Sequence, residues 1–303
     1  MSPDRSPIRV FHHDAMLEHA PGPYHPESPA RIRAILAALR AGPLASRIEF
    51  VEAPCADRSA VERVHPAAYL GLLEQVRDRG GGRLDADTVM STGSWEAALR
   101  AAGGAVAAAF SALDGVTAFA VVRPPGHHAL AERAMGFCLL NNVCVAAYAA
   151  LAERGLDRVL IVDWDVHHGN GTQAIVERDG RVRYVSLHQW PLYPGTGREE
   201  ERGVGNVFNV PRPPGLPPDE YVQALDAAVQ RATDGWTPQL LLLSAGFDAM
   251  AGDPLAGFTL EPDDYAEWTR RWRGMGVPMA SVLEGGYVPD RIAAGTAAHL
   301  SAL

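Results

Sequence analysis

Short apolar runs alternate along this chain with longer Ala-rich stretches of helical period. The runs Ile8–Phe11, Phe119–Val122, Val159–Val162, Val182–Leu187, Leu240–Ser244 and Met279–Leu283 predict strands. Leu240-Leu-Leu-Leu is apolar without interruption, as a strand covered on both faces requires. Helices are predicted over Pro29–Arg40, Trp95–Leu113, Asn142–Arg154, Asp219–Ala232 and Pro262–Arg273. The first carries a start signal, Ser28 as N-cap with Pro29 at the first helical position, and the fourth opens with acid in Pro218-Asp219-Glu220. Strands alternating with such helices form a mostly parallel central sheet with helices on both faces, an α/β fold. The chain has no internal repeat and no Ser/Gly linker, and the Pro-rich segment Pro211–Pro218 suits a loop, so a single domain over residues 1–303 is expected.

At 47% hydrophobic and 21% charged residues, the chain has enough apolar material for a sizeable core. The net charge of −9 argues against a nucleic-acid backbone as partner and mildly favours cationic substrates. There is no lysine; every basic residue other than histidine is arginine, a bias that surfaces tolerate. Cys55, Cys138 and Cys144 are odd in number, lack CxxC spacing and read as free thiols of a reducing compartment. The opening MSPDRSPIRV has no apolar h-region, and no stretch approaches the ~18 apolar residues of a membrane span. A cytoplasmic protein with no membrane partner is expected.

Candidate chemistry gathers where predicted strands end. Asp165 and His167, in Val162-Asp-Trp-Asp-Val-His-His-Gly-Asn170, are two apart, so in extended backbone their side chains point the same way. A carboxylate oxygen and an imidazole nitrogen there suit Zn²⁺ or a similar divalent ion. Asp248, in Ser-Ala-Gly-Phe-Asp, closes another strand and supplies a third ligand, leaving a coordination position open. Arg123-Pro-Pro-Gly-His-His128 places His127 and His128 in a rigid loop, one as general base on an attacking water and the other as electrostatic stabiliser or acid. Their far nitrogens need partners, for which Asp163 and Asn170 are the candidates; an Asp raises imidazole basicity more than an Asn, so the two rings should titrate differently. Leu283-Glu-Gly-Gly-Tyr287 ends the last predicted strand, where Tyr287 can donate to a carbonyl oxygen that is becoming an oxyanion.

Taken together, His25-Pro-Glu-Ser-Pro-Ala-Arg31, Arg123–His128, Gly136–Asn142, Asp163–Gln173, Val185–His188, Pro194–Gly197, Ser244–Asp248 and Leu283–Tyr287 resemble the histone deacetylase family, in order, from about residue 8 to the C-terminus. Trp164, Asn170 and Leu-Glu-Gly-Gly-Tyr look like its class II branch and bacterial relatives, among them the acetylpolyamine amidohydrolases. The resemblance implies the arginase/deacetylase α/β fold and a deacylase with Zn²⁺, or Fe²⁺ in the cell, on Asp165, His167 and Asp248. It implies His127 and His128 as tandem catalytic histidines backed by Asp163 and Asn170, and Tyr287 polarising the acyl carbonyl. Phe137 and Tyr193 would wall the substrate tunnel, Gly126 and Gly286 would narrow it, and Leu255 would sit at its rim. A structural K⁺ would lie on Asp163, Asp165, His167, Ser186 and Leu187, partly through backbone oxygens, and Arg31 would stand at the inner end where product acetate leaves. Asp87 and Thr88 fall near the family's substrate-binding rim loop, Cys138 reads as a buried filler, and Glu284 as a structural acceptor under the Gly-Gly turn.

Two other readings are weighed against an acyl-lysine deacylase. A dinuclear manganese ureohydrolase of the same fold wants further acids near the strand ends, and Asn170 and Met250 are not acids. A non-catalytic acyl-lysine-binding scaffold should have lost a ligand or the tyrosine, and all are present. Between acyl-lysine and acylpolyamine substrates, Leu255 favours the first: polyamine-specific class II relatives place a Glu there, seven residues after the last zinc ligand.

Overall fold

The computed structural model describes residues 7–303. Ten strands follow one another in it: β1 (Ile8–His12), β2 (Ile48–Glu52), β3 (Gly82–Arg83), β4 (Val89–Met90), β5 (Ala118–Ala120), β6 (Val159–Asp163), β7 (Val182–Gln189), β8 (Val207–Arg212), β9 (Leu240–Ala245) and β10 (Met279–Leu283). The helices are α1 (Pro29–Ala41), α2 (Arg58–Glu62), α3 (Ala67–Asp78), α4 (Ser94–Leu113), α5 (Asn142–Glu153), α6 (Asn170–Val176), α7 (Pro218–Thr233), α8 (Pro262–Arg273) and α9 (Pro289–Ala302). Eight strands form one sheet in the order β2-β1-β5-β10-β9-β6-β7-β8, every pair parallel; β3 and β4 form a separate small hairpin. Helices pack around the sheet, giving a single α/β domain with the predicted mostly parallel sheet.

The chain builds outward from β6 through β7 to β8 and from β1 to β2, and then returns to insert β9 and β10 between β5 and β6. The four central strands are therefore β5, β10, β9 and β6, whose residues are all buried. Their carboxyl ends meet at the position where open α/β sheets bind ligands.

Six strands and five helices stand where the pattern predicts, within a residue or two at their ends. Edge strands β2 and β8 were not foreseen: Ile48-Glu-Phe-Val-Glu52 is half-exposed, and β8 runs into Pro211-Arg212, which a sheet edge accommodates because the proline needs no ladder donor there. The predicted loop Pro211–Pro218 thus shrinks to the residues between β8 and α7. Ser28 occupies the N-cap position of α1, yet its side chain makes no capping bond. Helices α2, α3, α6 and α9 and the short strands β3 and β4 are also absent from the prediction; α9 is Ala-rich, and its buried side rests on few large residues, Ile292 and Leu300 among them.

Alternation along β6 and its extension sends Asp163 and Asp165 toward the strand-end site and Trp164 the other way. Trp164 is fully buried against Trp268 (ring centroids 5.9 Å apart), Trp272 (5.8 Å) and Tyr265 (5.6 Å) of α8. This packing anchors the Asp163–Asp165 segment to a helix. Beside it His299 of α9 lies fully buried between Thr269 Oγ1 (2.6 Å) and Ser281 Oγ (2.7 Å), hydroxyls that can donate or accept as a neutral imidazole requires. Burial pushes the His299 pKa down to about 3.

The unfolded chain protonates His299 near pH 6.5 and the folded protein does not, so this residue's stability is complete above pH 6.5 and is lost as the pH falls toward 3. Urea unfolding of wild type should lose about 1.4 kcal/mol per pH unit more than His299→Gln below pH 6. Parallel pH dependences for the two proteins would show that His299 is not held neutral.

Candidate metal centre and active site

Each central strand delivers one loop to a common point, and backbone amides of these loops are bound by buried carboxylates. After β6, Asp165 Oδ1 accepts from His167 N (2.9 Å) and Asp163 Oδ1 from Asp165 N (3.1 Å). After β9, Asp248 Oδ1 accepts from Val166 N (2.9 Å), tying its loop to the one beside it. After β10, Gly285 N donates to Asp165 Oδ2 (2.7 Å), and a Cβ at residue 285 would collide with the carboxylates of both Asp248 and Asp165. Glycine is required there for close approach. Glu284 faces the fourth loop: its Oε2 accepts from Gly126 N (2.7 Å) and His127 N (3.1 Å). The acceptor expected under the Gly-Gly turn in fact holds the tandem-histidine loop, a cross-strand partner that spacing cannot reveal.

Asp165, His167 and Asp248 each offer a ligand atom, all within 4.8 Å of one another. His167 Nδ1 lies 3.1 Å from Asp165 Oδ1 and 3.1 Å from Asp248 Oδ2, and both carboxylates are fully buried. Three converging Lewis bases of this kind fit a divalent cation in charge and donor type. Burial opposes a charged His167, but its bonds with the two acids outweigh it and push the pKa up to about 10. A proton there supplies the positive charge that the acid pair demands, a demand a bound cation meets instead.

The two neighbouring histidines have different surroundings. His127 Nδ1 meets Asp163 Oδ2 at 3.1 Å, with Asp165 Oδ1 3.7 Å from its Nε2. Burial disfavours its charge, but Asp165 and Asp163 prevail and hold its pKa well above the ordinary value. His128 Nδ1 meets Asn170 Oδ1 at 2.8 Å; burial, together with His127 and His167, holds its pKa well below the ordinary value. One ring thus favours its charged form and the other its neutral form. Tyr184 of β7 adds a contact that the sequence reading missed, its phenol donating to Asp163 Oδ2 at 2.8 Å.

The model of the histone deacetylase domain matches residues 25–303. The chain belongs to the histone deacetylase family. It is similar to the histone deacetylase-like amidohydrolase of Pseudomonas aeruginosa, with 40% identity over 91% of this chain and 80% of that protein. A probable deacetylase of Archaeoglobus fulgidus is 38% identical over 92% of this chain and 80% of its own length. Among solved structures, the crystal structure of the HDA15 HD domain superposes with a TM-score of 0.94 at 37% identity, covering 98% of this chain and 88% of that one. Family membership supports deacetylase or amidohydrolase activity on an acylated amine.

In this histone deacetylase family member a cavity opens above the cluster, walled by Phe137, Tyr193, Leu192 and Leu255, with His128, His167 and Tyr287 at its inner end and Asp87 and Gly136 along its side. Gly126 and Gly286, read as narrowing the tunnel, lie outside that lining; a Cβ at Gly126 would meet Asn142 N at 2.5 Å, and one at Gly286 would meet Ile292 Cδ1 at 3.0 Å. Both glycines admit a close approach of neighbouring elements. Phe137 holds a left-handed backbone (φ 68°), fixed by Thr88 Oγ1, which accepts from Phe137 N (3.0 Å), and by Asp87 Oδ1, which accepts from Gly136 N (3.2 Å). The loop carrying Asp87 and Thr88 therefore shapes the cavity wall. The His25 ring packs edge-on against Phe137 at 4.6 Å.

Arg31, in the first turn of α1, is only 1% exposed. Its guanidinium bonds Glu27 Oε1 (3.1 Å), Gly286 O (2.5 Å) and Glu284 O, and lies 5.0 Å from the Tyr287 ring centroid. The buried Glu27 carboxylate also accepts from Nε and Nη2 of Arg123, at 2.8 and 2.7 Å. This ion cluster, with every carboxylate oxygen paired, holds the turn that carries Tyr287. Cys138 is fully buried, and burial pushes its thiol well above the ordinary range, as befits a filler and not a nucleophile.

Replacing Asp165, His167 or Asp248 by Ala should strip the divalent ion and abolish turnover together. Elemental analysis that finds Asp248→Ala fully loaded would remove Asp248 from the ligand set.

Proposed function

We propose that this protein is a zinc-dependent deacylase that hydrolyses the amide of acyl-lysine in peptides or proteins to a carboxylate and a free amine. The observation that supports this reading is that one cavity is lined by His128, His167 and Tyr287, with Asp165 and Asp248 clustered behind His167 and His127 beside His128. When Zn²⁺, or Fe²⁺, is held by those three ligands it supplies Lewis acidity toward water and the acyl oxygen. His128, neutral and aimed by Asn170, takes the proton of the attacking water as the new C–O bond forms. His127, drawn toward its charged form by Asp165 and Asp163, stabilises the developing negative charge, and a histidinium returns a proton to the leaving amine as the C–N bond breaks. Tyr287 donates to the acyl oxygen. A structural K⁺ would be held by Asp163, Asp165, His167, Ser186 and Leu187; Asp163 and Ser186 are register partners on β6 and β7, which supports that grouping. Arg31 is assigned to the inner end of the site, where product carboxylate would leave. Three free cysteines and no helix, among the described residues, long and apolar enough to cross a membrane are consistent with a cytoplasmic protein.

Tyr287→Phe should keep the bound metal and lose about 10²–10³ in kcat, the range of a lost oxyanion donor. An unchanged kcat would take the phenol out of the reaction path.

The preference for acyl-lysine over acylpolyamine rests on Leu255, which lines the cavity with an apolar side chain able to cover a lysine stem. Asp253 does not substitute for the missing acid: it is 8% exposed, and both its oxygens are engaged by backbone amides. Purified enzyme should show a higher kcat/KM for acetyl-lysine peptides than for N8-acetylspermidine or N-acetylputrescine, and Leu255→Glu should move the ratio toward the polyamines. The reverse order in wild type would make the protein an acetylpolyamine amidohydrolase.

A further inference from the structure

The loop after β9 turns sharply at Gly252-Asp253-Pro254-Leu255, with Gly252 at φ 88° and Asp253 buried. Pro254 has no N–H, so the first amide within local reach of the Asp253 side chain is Leu255 N, which donates to Oδ1 at 3.0 Å. That bond alone is an ordinary turn. The other oxygen does something a turn does not need: Oδ2 leaves its own loop and accepts from Tyr287 N, 34 residues further on, at 2.9 Å. One carboxylate therefore grips Leu255, at the cavity wall, and Tyr287, at its inner end.

The grip completes a set of constraints on a glycine-rich segment. Arg31 holds the carbonyls of Glu284 and Gly286, and Asp165 holds Gly285 N. The Gly286 carbonyl and the Tyr287 N–H belong to one planar peptide unit, so Arg31 grips its carbonyl side and Asp253 its N–H side. Gly286, at φ 116°, has torsional freedom that other residues lack. The Asp253 bond falls on the first amide after that pivot.

We propose that Asp253 is a positioning residue, which through its bond to Tyr287 N sets where the Tyr287 phenol stands relative to the reacting carbonyl. The proposal rests on the reading of Tyr287 as the acyl-oxygen donor. A small displacement of such a donor is costly, because its contribution depends on being in place before charge develops. Asn at 253 keeps the size and one acceptor oxygen but turns an NH₂ toward the second amide, so the staple loses one arm and the fold keeps its turn.

The test is a double-mutant cycle on the metal-loaded enzyme, with Asp253→Asn, Tyr287→Phe and the pair, each assayed for kcat, KM and zinc content. Asp253→Asn should lower kcat about tenfold or more with zinc unchanged and KM little moved. In the Tyr287→Phe background the same change should cost less than about twofold, because the donor it positions is gone. Asp253→Ser, whose hydroxyl can accept from one amide, carries the same cycle if the Asn variant does not fold. If Asp253→Asn is as active as wild type, or its loss multiplies in full with that of Tyr287→Phe, the positioning role is overturned while the tyrosine reading stands. If Tyr287→Phe itself keeps full kcat, the tyrosine reading fails and the proposal with it.

Discussion

Buried carboxylates bonded to backbone amides hold this site together. Asp165 spans His167 N and Gly285 N, Asp248 takes Val166 N, Glu284 takes Gly126 N and His127 N, and Asp253 takes Tyr287 N. Loops that leave a sheet carry amide groups that cannot stay unpaired once water is excluded. Here acids from neighbouring loops meet that need, so each loop is completed by the next. Where the acceptor is ionised, as Asp165 is kept by His127 and His167 against its burial, such a bond is about twice as strong as a neutral one, which suits elements with no regular ladder of their own.

The same arrangement creates an electrostatic problem. Asp163, Asp165, Asp248 and Glu284 are all fully buried around one point. Burial pushes Glu284 up to about 7, and His127 and His167 are drawn toward their charged forms by the acids beside them. A divalent cation held by Asp165, His167 and Asp248 would relieve this concentration of negative charge. Structural staple and ligand set are then one group of atoms, since Asp165 and Asp248 hold amides while facing His167.

Sheet order decides which loops can meet. Strands β5, β10, β9 and β6 lie side by side although they are far apart in sequence. Trp164, packed against Trp268 and Trp272, ties the end of β6 to α8 below, so Asp165 and His167 above it are not carried on a free loop. The Glu27 cluster with Arg31 and Arg123 does the same for the β5 and β10 ends.

The sequence by itself determined the parallel α/β architecture and the residue types at the strand ends. Leu240-Leu-Leu-Leu and Val159–Val162 bear the signature of doubly covered strands, and Asp165, His167, Asp248, His127, His128 and Tyr287 follow strands at local spacings that period and alternation make legible. Half-exposed β2 and the proline-bearing β8 were not legible, because an edge strand need not be apolar. Only the tertiary structure decided the partners: that Glu284 serves His127, that Tyr184 serves Asp163, that Arg31 clamps the glycine turn, and that Asp253 reaches Tyr287. The physical reason is range. Periodicity reports which way a side chain points along its own element, whereas a hydrogen bond across 34 or 157 residues depends on strand order and loop height, which no local pattern encodes.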